Sequence, residues 1–150
     1  MAHTFTLLYY HIVFSTKHRE MLIDSELESR LHGYMGGIVK GMKGQAIKIG
    51  GIEDHVHLLV QLPATLALAD FVRDLKANSS NWVHENFSER QNFAWQTGYG
   101  GFTVSKSKVP ELEIYIANQR EHHLQVSFAD EYVGLLRKHE IEFDERFVLD

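Results

Sequence analysis

Gln45 to Ile52 and His55 to Leu62 are two strand-like runs separated only by Glu53-Asp54. So short a link brings the runs together as an antiparallel hairpin. Pro63 closes the second run, since a residue without an N–H cannot extend a ladder. The rest of the chain must then supply partners for this hairpin. Phe5, Leu7 and Tyr9 alternate with Thr4, Thr6 and Leu8 and lead into Ile12-Val13-Phe14, which predicts a first strand largely covered on both faces. After the polar Lys17-His18-Arg19-Glu20, Asp24 or Ser25 can cap a helix carrying Leu27, Leu31, Tyr34, Met35 and Ile38 at helical spacing and ending near Gly41 or Gly44. Gly33, Gly36 and Gly37 each cost such a helix up to about 1 kcal/mol relative to alanine, and close packing is the compensation expected of them.

Thr65 is placed to cap a second helix through Leu68, Phe71, Val72, Leu75, Trp82 and Val83. Trp95 to Ser105 reads as a strand interrupted by Gly98, Gly100 and Gly101. Pro110 suits the first turn of a third helix, with Val109, Leu112 and Ile116 as its apolar stripe. Ser127, with Asp130 three residues on, starts a last helix running to about His139. The order β-α-β-β-α-β followed by helices predicts an α+β fold: a ferredoxin-like antiparallel sheet with additional C-terminal helices, in one domain over residues 1–150. That fold hosts unrelated activities, so function has to be sought in particular side chains.

The chain lacks cysteine, which excludes thiolate metal sites and thiol catalysis. Met1 to Thr6 shows no basic and apolar leader pattern, and no run approaches the roughly 18–20 apolar residues of a membrane span, so a cytoplasmic protein is expected. The net charge of −5 argues against a nucleic-acid partner at face value. Its distribution weakens that objection: Glu140, Glu142, Asp144, Glu145 and Asp150 against Arg146 give the tail −4, which leaves −1 for residues 1–139.

Within Asp54-His55-Val56-His57-Leu58-Leu59-Val60, strand alternation puts both imidazoles on one face, with α-carbons roughly 6.5–7 Å apart, close enough to share a cation. Two histidines on a wet surface would look the same. On the helix after Pro110, Tyr115, Asn118, Gln119 and His122 fall on one stripe, polar apart from the phenol ring. A tyrosine at the core boundary with a wet hydroxyl is the plainer account of Tyr115.

Taken in order, His55-Val56-His57, the segment Trp95-Gln96-Thr97-Gly98-Tyr99-Gly100-Gly101-Phe102-Thr103-Val104-Ser105, and Tyr115-Ile116-Ala117-Asn118-Gln119 with His122-His123 resemble the single-tyrosine transposases of the HUH nuclease superfamily. Tyr10 to Arg19 and Ile141 to Arg146 resemble that family's opening and closing patterns. The resemblance implies Tyr115 as nucleophile and His55, His57 and Gln119 as ligands of a divalent metal, Mg²⁺ or Mn²⁺. It implies cleavage and rejoining of single-stranded DNA through a 5′-phosphotyrosine, recognition of DNA hairpins at element ends, and a homodimer in which Tyr115 can act in trans. Gln119 lies one helical turn from Tyr115, so its carbonyl oxygen can reach a cation that also polarises the attacked phosphate. Lys17, Arg19, Lys106 and Lys108 are candidate phosphate contacts. Metal proximity, His122 or water could take the phenol proton.

Three alternatives remain at this point. A hydrolase with an H-x-H-x-H strand would need a third histidine where Leu59 stands. A metal-dependent hydrolytic nuclease would not need Tyr115. A host-recruited, palindrome-binding relative would keep the fold for DNA binding.

Overall fold

The hairpin forms as the short link requires. In a computed structural model describing residues 3–150, β2 (Gln45–Ile52) pairs with β3 (His55–Gln61) across the Glu53-Asp54 turn. Around it lie β1 (Tyr9–Ser15), α1 (Ser25–Gly41), α2 (Leu68–Asn86), β4 (Gly100–Val104), α3 (Val109–Ala117), α4 (Gln119–His122) and α5 (Phe128–Lys138). The sheet order is β2-β3-β1-β4 with every neighbouring pair antiparallel, the ferredoxin-like arrangement. Met1 and Ala2, where the expectation of no leader begins, lie outside the described residues.

Alternation sorts the central strands onto two faces. Ile12 and Phe14 of β1 and Val56, Leu58 and Val60 of β3 pack against Leu27, Leu31, Met35 and Val39 of α1 and Phe71, Val72, Leu75 and Val83 of α2. The opposite face carries Tyr9, His11, Val13, His55, His57 and Leu59. Two smaller clusters cover it. Val13 and Phe102 meet Phe128, Tyr132 and Leu136 of α5, while Tyr9 and Leu59 meet Val109 and Ile116 of α3. Each such buried aliphatic side chain contributes roughly 1.5–3 kcal/mol. The C-terminal helices therefore make a third layer, and the histidine face lies inside the protein between two apolar anchors.

Several sequence expectations are corrected. The first strand starts at Tyr9, and Phe5 and Leu7 stand exposed. Tyr9 pairs with Gln61 and Val104, the last residues of β3 and β4, so earlier residues have no strand beside them. Thr65 does not cap α2. Its N-cap is Ala67, because Pro63 and Leu66 first close a turn. Only Gly100–Val104 of the fourth strand is continuous. Trp95 forms a lone bridge to Thr16, and the Gln96 side chain accepts from the Ser15 N–H. A Cβ at Gly33 or Gly37 would have no neighbour within 4 Å, and at Gly36 only Ile49 at 4.0 Å, so these glycines seat no close packing. Asp24 does cap α1, accepting from Leu27 N–H, and Ser127 caps α5.

Candidate active site

His55 and His57 are fully buried, which overturns the wet-surface alternative. Their rings converge with side chains from each C-terminal helix on a single point. His55 Nδ1 lies 2.7 Å from Asp54 Oδ1, and its Nε2 lies 2.8 Å from Gln119 Oε1. His57 Nδ1 lies 2.8 Å from His11 Nε2, and its Nε2 lies 2.9 Å from Glu131 Oε1. His123 Nε2 lies 2.8 Å from Gln119 Oε1 and 3.1 Å from Glu131 Oε1, while its Nδ1 donates to the Val126 carbonyl. Gln119 Nε2 donates to Glu131 Oε2 at 2.9 Å, and the Tyr115 hydroxyl donates to the same oxygen. The Tyr115 ring stands edge-on to His57 with centroids 5.8 Å apart.

Tyr115 reaches this point because of what stands on the sheet beneath it. Gly50 pairs with His57 across β2 and β3, and directly paired residues project to the same face. With no side chain there, the end of α3 descends onto the sheet: a Cβ on Gly50 would lie 2.7 Å from the Ile116 carbonyl oxygen and 2.8 Å from Ile116 Cγ2. The expected single helical stripe is interrupted. α3 ends at Ala117 and α4 starts at Gln119, because the Asn118 backbone leaves the helical region, with φ −99° and ψ 19°. That break points Gln119 inward and leaves Asn118 exposed, outside the site.

The hydrogen-bond pattern supports a cation site. With Nδ1–H given to Asp54, a neutral His55 turns the lone pair of Nε2 toward the lone pairs of Gln119 Oε1. His123, with Nδ1–H given to Val126, does the same toward Gln119 and Glu131 when neutral; in metal-free protein burial is outweighed by Glu131, which raises the imidazole and lets a protonated Nε2 donate to the carboxylate. Facing acceptors at these spacings need a shared positive centre, and committing Nδ1–H to an outer partner is how metal-binding imidazoles are held. One ligand atom each from His55, His57, His123 and Glu131 lies within 4.8 Å of all the others. Around a cation at ~2.1 Å, neighbouring octahedral ligand atoms would be about 3 Å apart, close to the contacts present. The residues fit a divalent cation.

The electrostatics follow from burial and crowding. Burial alone would raise the Glu131 carboxyl, but hydrogen bonds from His123, His57 and Tyr115 outweigh it and hold the group far below the usual carboxylate range. Burial, reinforced by the Glu131 charge, pushes the Tyr115 phenol above its usual range. His57 is held down, chiefly by burial, and burial with the neighbouring His57 takes His11 down to about 3.

Of the residues singled out from sequence, Tyr115, His55, His57 and Gln119 come together in one chain. The four cations do not. Lys106 and Lys108 sit where β4 leads into α3, near Tyr9, whereas Lys17 and Arg19 follow the other end of β1. Those ends are about 20 Å apart along the strand. Four members of the site were missed. His11 on its strand and Asp54 in its turn carry no spacing signal, and in the sequence His123 belongs only to a motif. Glu131 had a usable signal: it lies beside the buried Phe128, Tyr132 and Leu136 stripe, and a carboxylate there needs partners.

A ferredoxin-like sheet that offers two strand histidines to a helical tyrosine and glutamine defines an HUH-type DNA-processing enzyme of the single-tyrosine kind. Residues 4–119 match the family model described as "Transposase IS200 like". The chain belongs to the IS200-like transposase family. It is 27% identical over 126 residues to the transposase for insertion sequence element IS200 of Salmonella typhimurium, spanning 81% of this chain and 82% of that one. It is 25% identical over 119 residues to the ISDra2 transposase TnpA of Deinococcus radiodurans, spanning 76% and 85%. Among solved structures, it shares its fold with a candidate transposase from Deinococcus radiodurans R1, with a TM-score of 0.66, 24% identity, and 79% and 95% of the two chains covered. It shares it also with a REP-associated tyrosine transposase bound to a REP hairpin, with a TM-score of 0.60, 13% identity, and 84% and 76% covered. No described helix is long and apolar enough to cross a membrane.

Proposed function

We propose that this chain cuts and rejoins single-stranded DNA by transesterification, with Tyr115 as the nucleophile. The phenolic oxygen attacks a DNA phosphorus and the P–O3′ bond breaks. The phenol proton leaves, the departing O3′ takes one up, and a 5′-phosphotyrosine and a free 3′-hydroxyl result. Reversal by another 3′-hydroxyl reseals a strand without ATP. A divalent cation on His55, His57 and Gln119, Mg²⁺ or Mn²⁺, would stabilise charge on the phosphate oxygens.

One observation carries this reading: the Tyr115 hydroxyl is hydrogen-bonded directly to the carboxylate that His57 and Gln119 also contact. That bond orients the phenolic oxygen toward the cluster, and cation proximity, His122 or water is proposed to draw off the phenol proton. Convergence within one chain supports chemistry in cis. Hairpin DNA is the proposed substrate, in keeping with the hairpin-bound relative. Lys106 and Lys108 are proposed to hold the strand near Tyr115, and Lys17 and Arg19 to hold DNA farther along.

The test uses labelled hairpin oligonucleotides with randomised unpaired flanks and Mn²⁺, resolved on denaturing gels. Wild type forms a denaturant-resistant adduct, while Tyr115→Phe and His57→Ala do not. Free 5′-phosphate products that persist in Tyr115→Phe would establish a hydrolytic nuclease instead. Mixing the two inactive variants restores no adduct if the site works in cis, and restores it if tyrosine helices exchange in a dimer.

A further inference from the structure

A cavity of about 700 Å³ opens between α3 and α5, with Tyr115 at its inner wall. At its outer end, His139 stacks on Phe102 with ring centroids 4.3 Å apart and planes at 22°. The His139 ring is also pinned by a 2.8 Å contact from Nδ1 to the Leu135 carbonyl. Its other face is exposed, so it forms a preset aromatic platform. Lys138 lines the same end and makes no ion pair among the described residues. Near Tyr115, His122 Nε2 is shielded from solvent and makes no hydrogen bond, with Glu131 Oε2 3.4 Å away.

The cavity wall on α5 is low. Gly134 lines this cavity from a helix interior, where glycine costs up to about 1 kcal/mol relative to alanine. No atom lies within 4 Å of where its Cβ would be, so nothing in the protein requires the missing side chain. The cavity is therefore open over this residue.

We propose that this cavity is a subsite for one unpaired nucleotide, the one whose 5′-phosphate meets Tyr115. Its base stacks on His139 and lies over Gly134. The next phosphate along the strand meets Lys138, and His122 Nε2 supplies a polar contact beside Tyr115. The volume suits a single nucleotide, and an aromatic face beside a cation is the usual means of holding an unpaired base. This assignment rests on the transesterification reading for its orientation. Binding can nonetheless be measured without any strand cleavage, so the two ideas can fail separately.

The probes are the four deoxynucleoside 5′-monophosphates and, lacking a base, deoxyribose 5-phosphate, titrated with Mg²⁺ into ¹⁵N-labelled full chain. At least one nucleotide is expected to shift the amides of Gly134, Lys138 and His139, with the sugar phosphate binding about tenfold more weakly. Gly134→Phe fills the space and is expected to abolish those shifts while leaving the melting temperature unchanged or higher. His139→Ala, an exposed substitution, is expected to weaken nucleotide binding about tenfold should the bulkier variant fold poorly. Equal binding of nucleotide and sugar phosphate, no shift at these residues, or wild-type nucleotide affinity in His139→Ala would each overturn the subsite. Nucleotide binding with no adduct in the hairpin assay would instead refute the transesterification reading alone.

Discussion

Gly50→Ala tests how the fold places the nucleophile, because it alters the seat of Tyr115 without touching any site residue. The added Cβ would lie 2.7 Å from the Ile116 carbonyl oxygen, about 0.7 Å inside ordinary contact at 3.4 Å. That neighbour is backbone, so it cannot swing aside as a flexible side chain would. Either α3 lifts or β2 is pushed off the sheet edge. Overpacking of this kind costs about 1–3 kcal/mol. The catalytic effect should be larger than the effect on stability, since Tyr115 and Gln119 bracket Ile116 and a shift approaching 1 Å at a reacting group can cost about 100-fold in rate. Urea unfolding and the rate of adduct formation, measured on the same preparation at saturating Mn²⁺, give the two quantities. Adduct formation should fall by one to two orders of magnitude, roughly, while His55 and His57 still hold metal. A variant with wild-type stability and wild-type rate would refute the claim that α3 is seated on this glycine.

Glu131→Gln removes a negative charge that pushes the Tyr115 phenol up, so in metal-free protein tyrosinate absorbance should appear at lower pH than in wild type; an unchanged titration would show that burial alone sets it. His11 is held neutral by burial down to about 3 but takes a proton near 6.5 once unfolded, so the unfolded chain binds more protons across that window and stability falls as pH drops from about 6.5 to about 3. The loss is up to about 1.4 kcal/mol per pH unit, and urea titrations of metal-free His11→Phe should show a shallower acid slope than wild type. Three imidazoles in the cluster favour Mn²⁺ over Mg²⁺, which prefers oxygen ligands. Mn²⁺ at about 100 times its Kd should stabilise the fold by about 2.7 kcal/mol, and His123→Ala should reduce that gain in a thermal-shift assay.

The parts of the fold legible in the sequence were those set by local periodicity and turn chemistry. The Gln45–Ile52 and His55–Gln61 strands, the Asp24 and Ser127 caps and the start of α3 near Pro110 all depend on residues close together in the chain. Errors arose where a partner elsewhere decided the outcome. Phe5 and Leu7 alternate as a strand would, yet β3 and β4 have ended by that point and no ladder is available. Trp95 to Tyr99 has strand-forming residues, but Lys76 Nζ reaches over from α2 to the carbonyls of Gln96, Thr97 and Gly98 and holds them out as a loop.

The same distinction explains the site. His55 and His57 could be placed together because two residues on one strand share a face, and Tyr115 with Gln119 because they are one turn apart. Periodicity says nothing about which helix face meets which strand face, and Glu131 joins the cluster only through that meeting: α5 is held over Val13 and Phe102 by Phe128, Tyr132 and Leu136. The same apolar anchors that bury the histidines therefore deliver the carboxylate that ties them to Tyr115. A carboxylate on a buried stripe must find donors or destabilise the protein, and His57, His123, Gln119 and Tyr115 are the donors it finds. Packing of the third layer and assembly of the site are thus one event, so a mutation that loosens α5 should weaken metal binding even when it lies well away from every ligand.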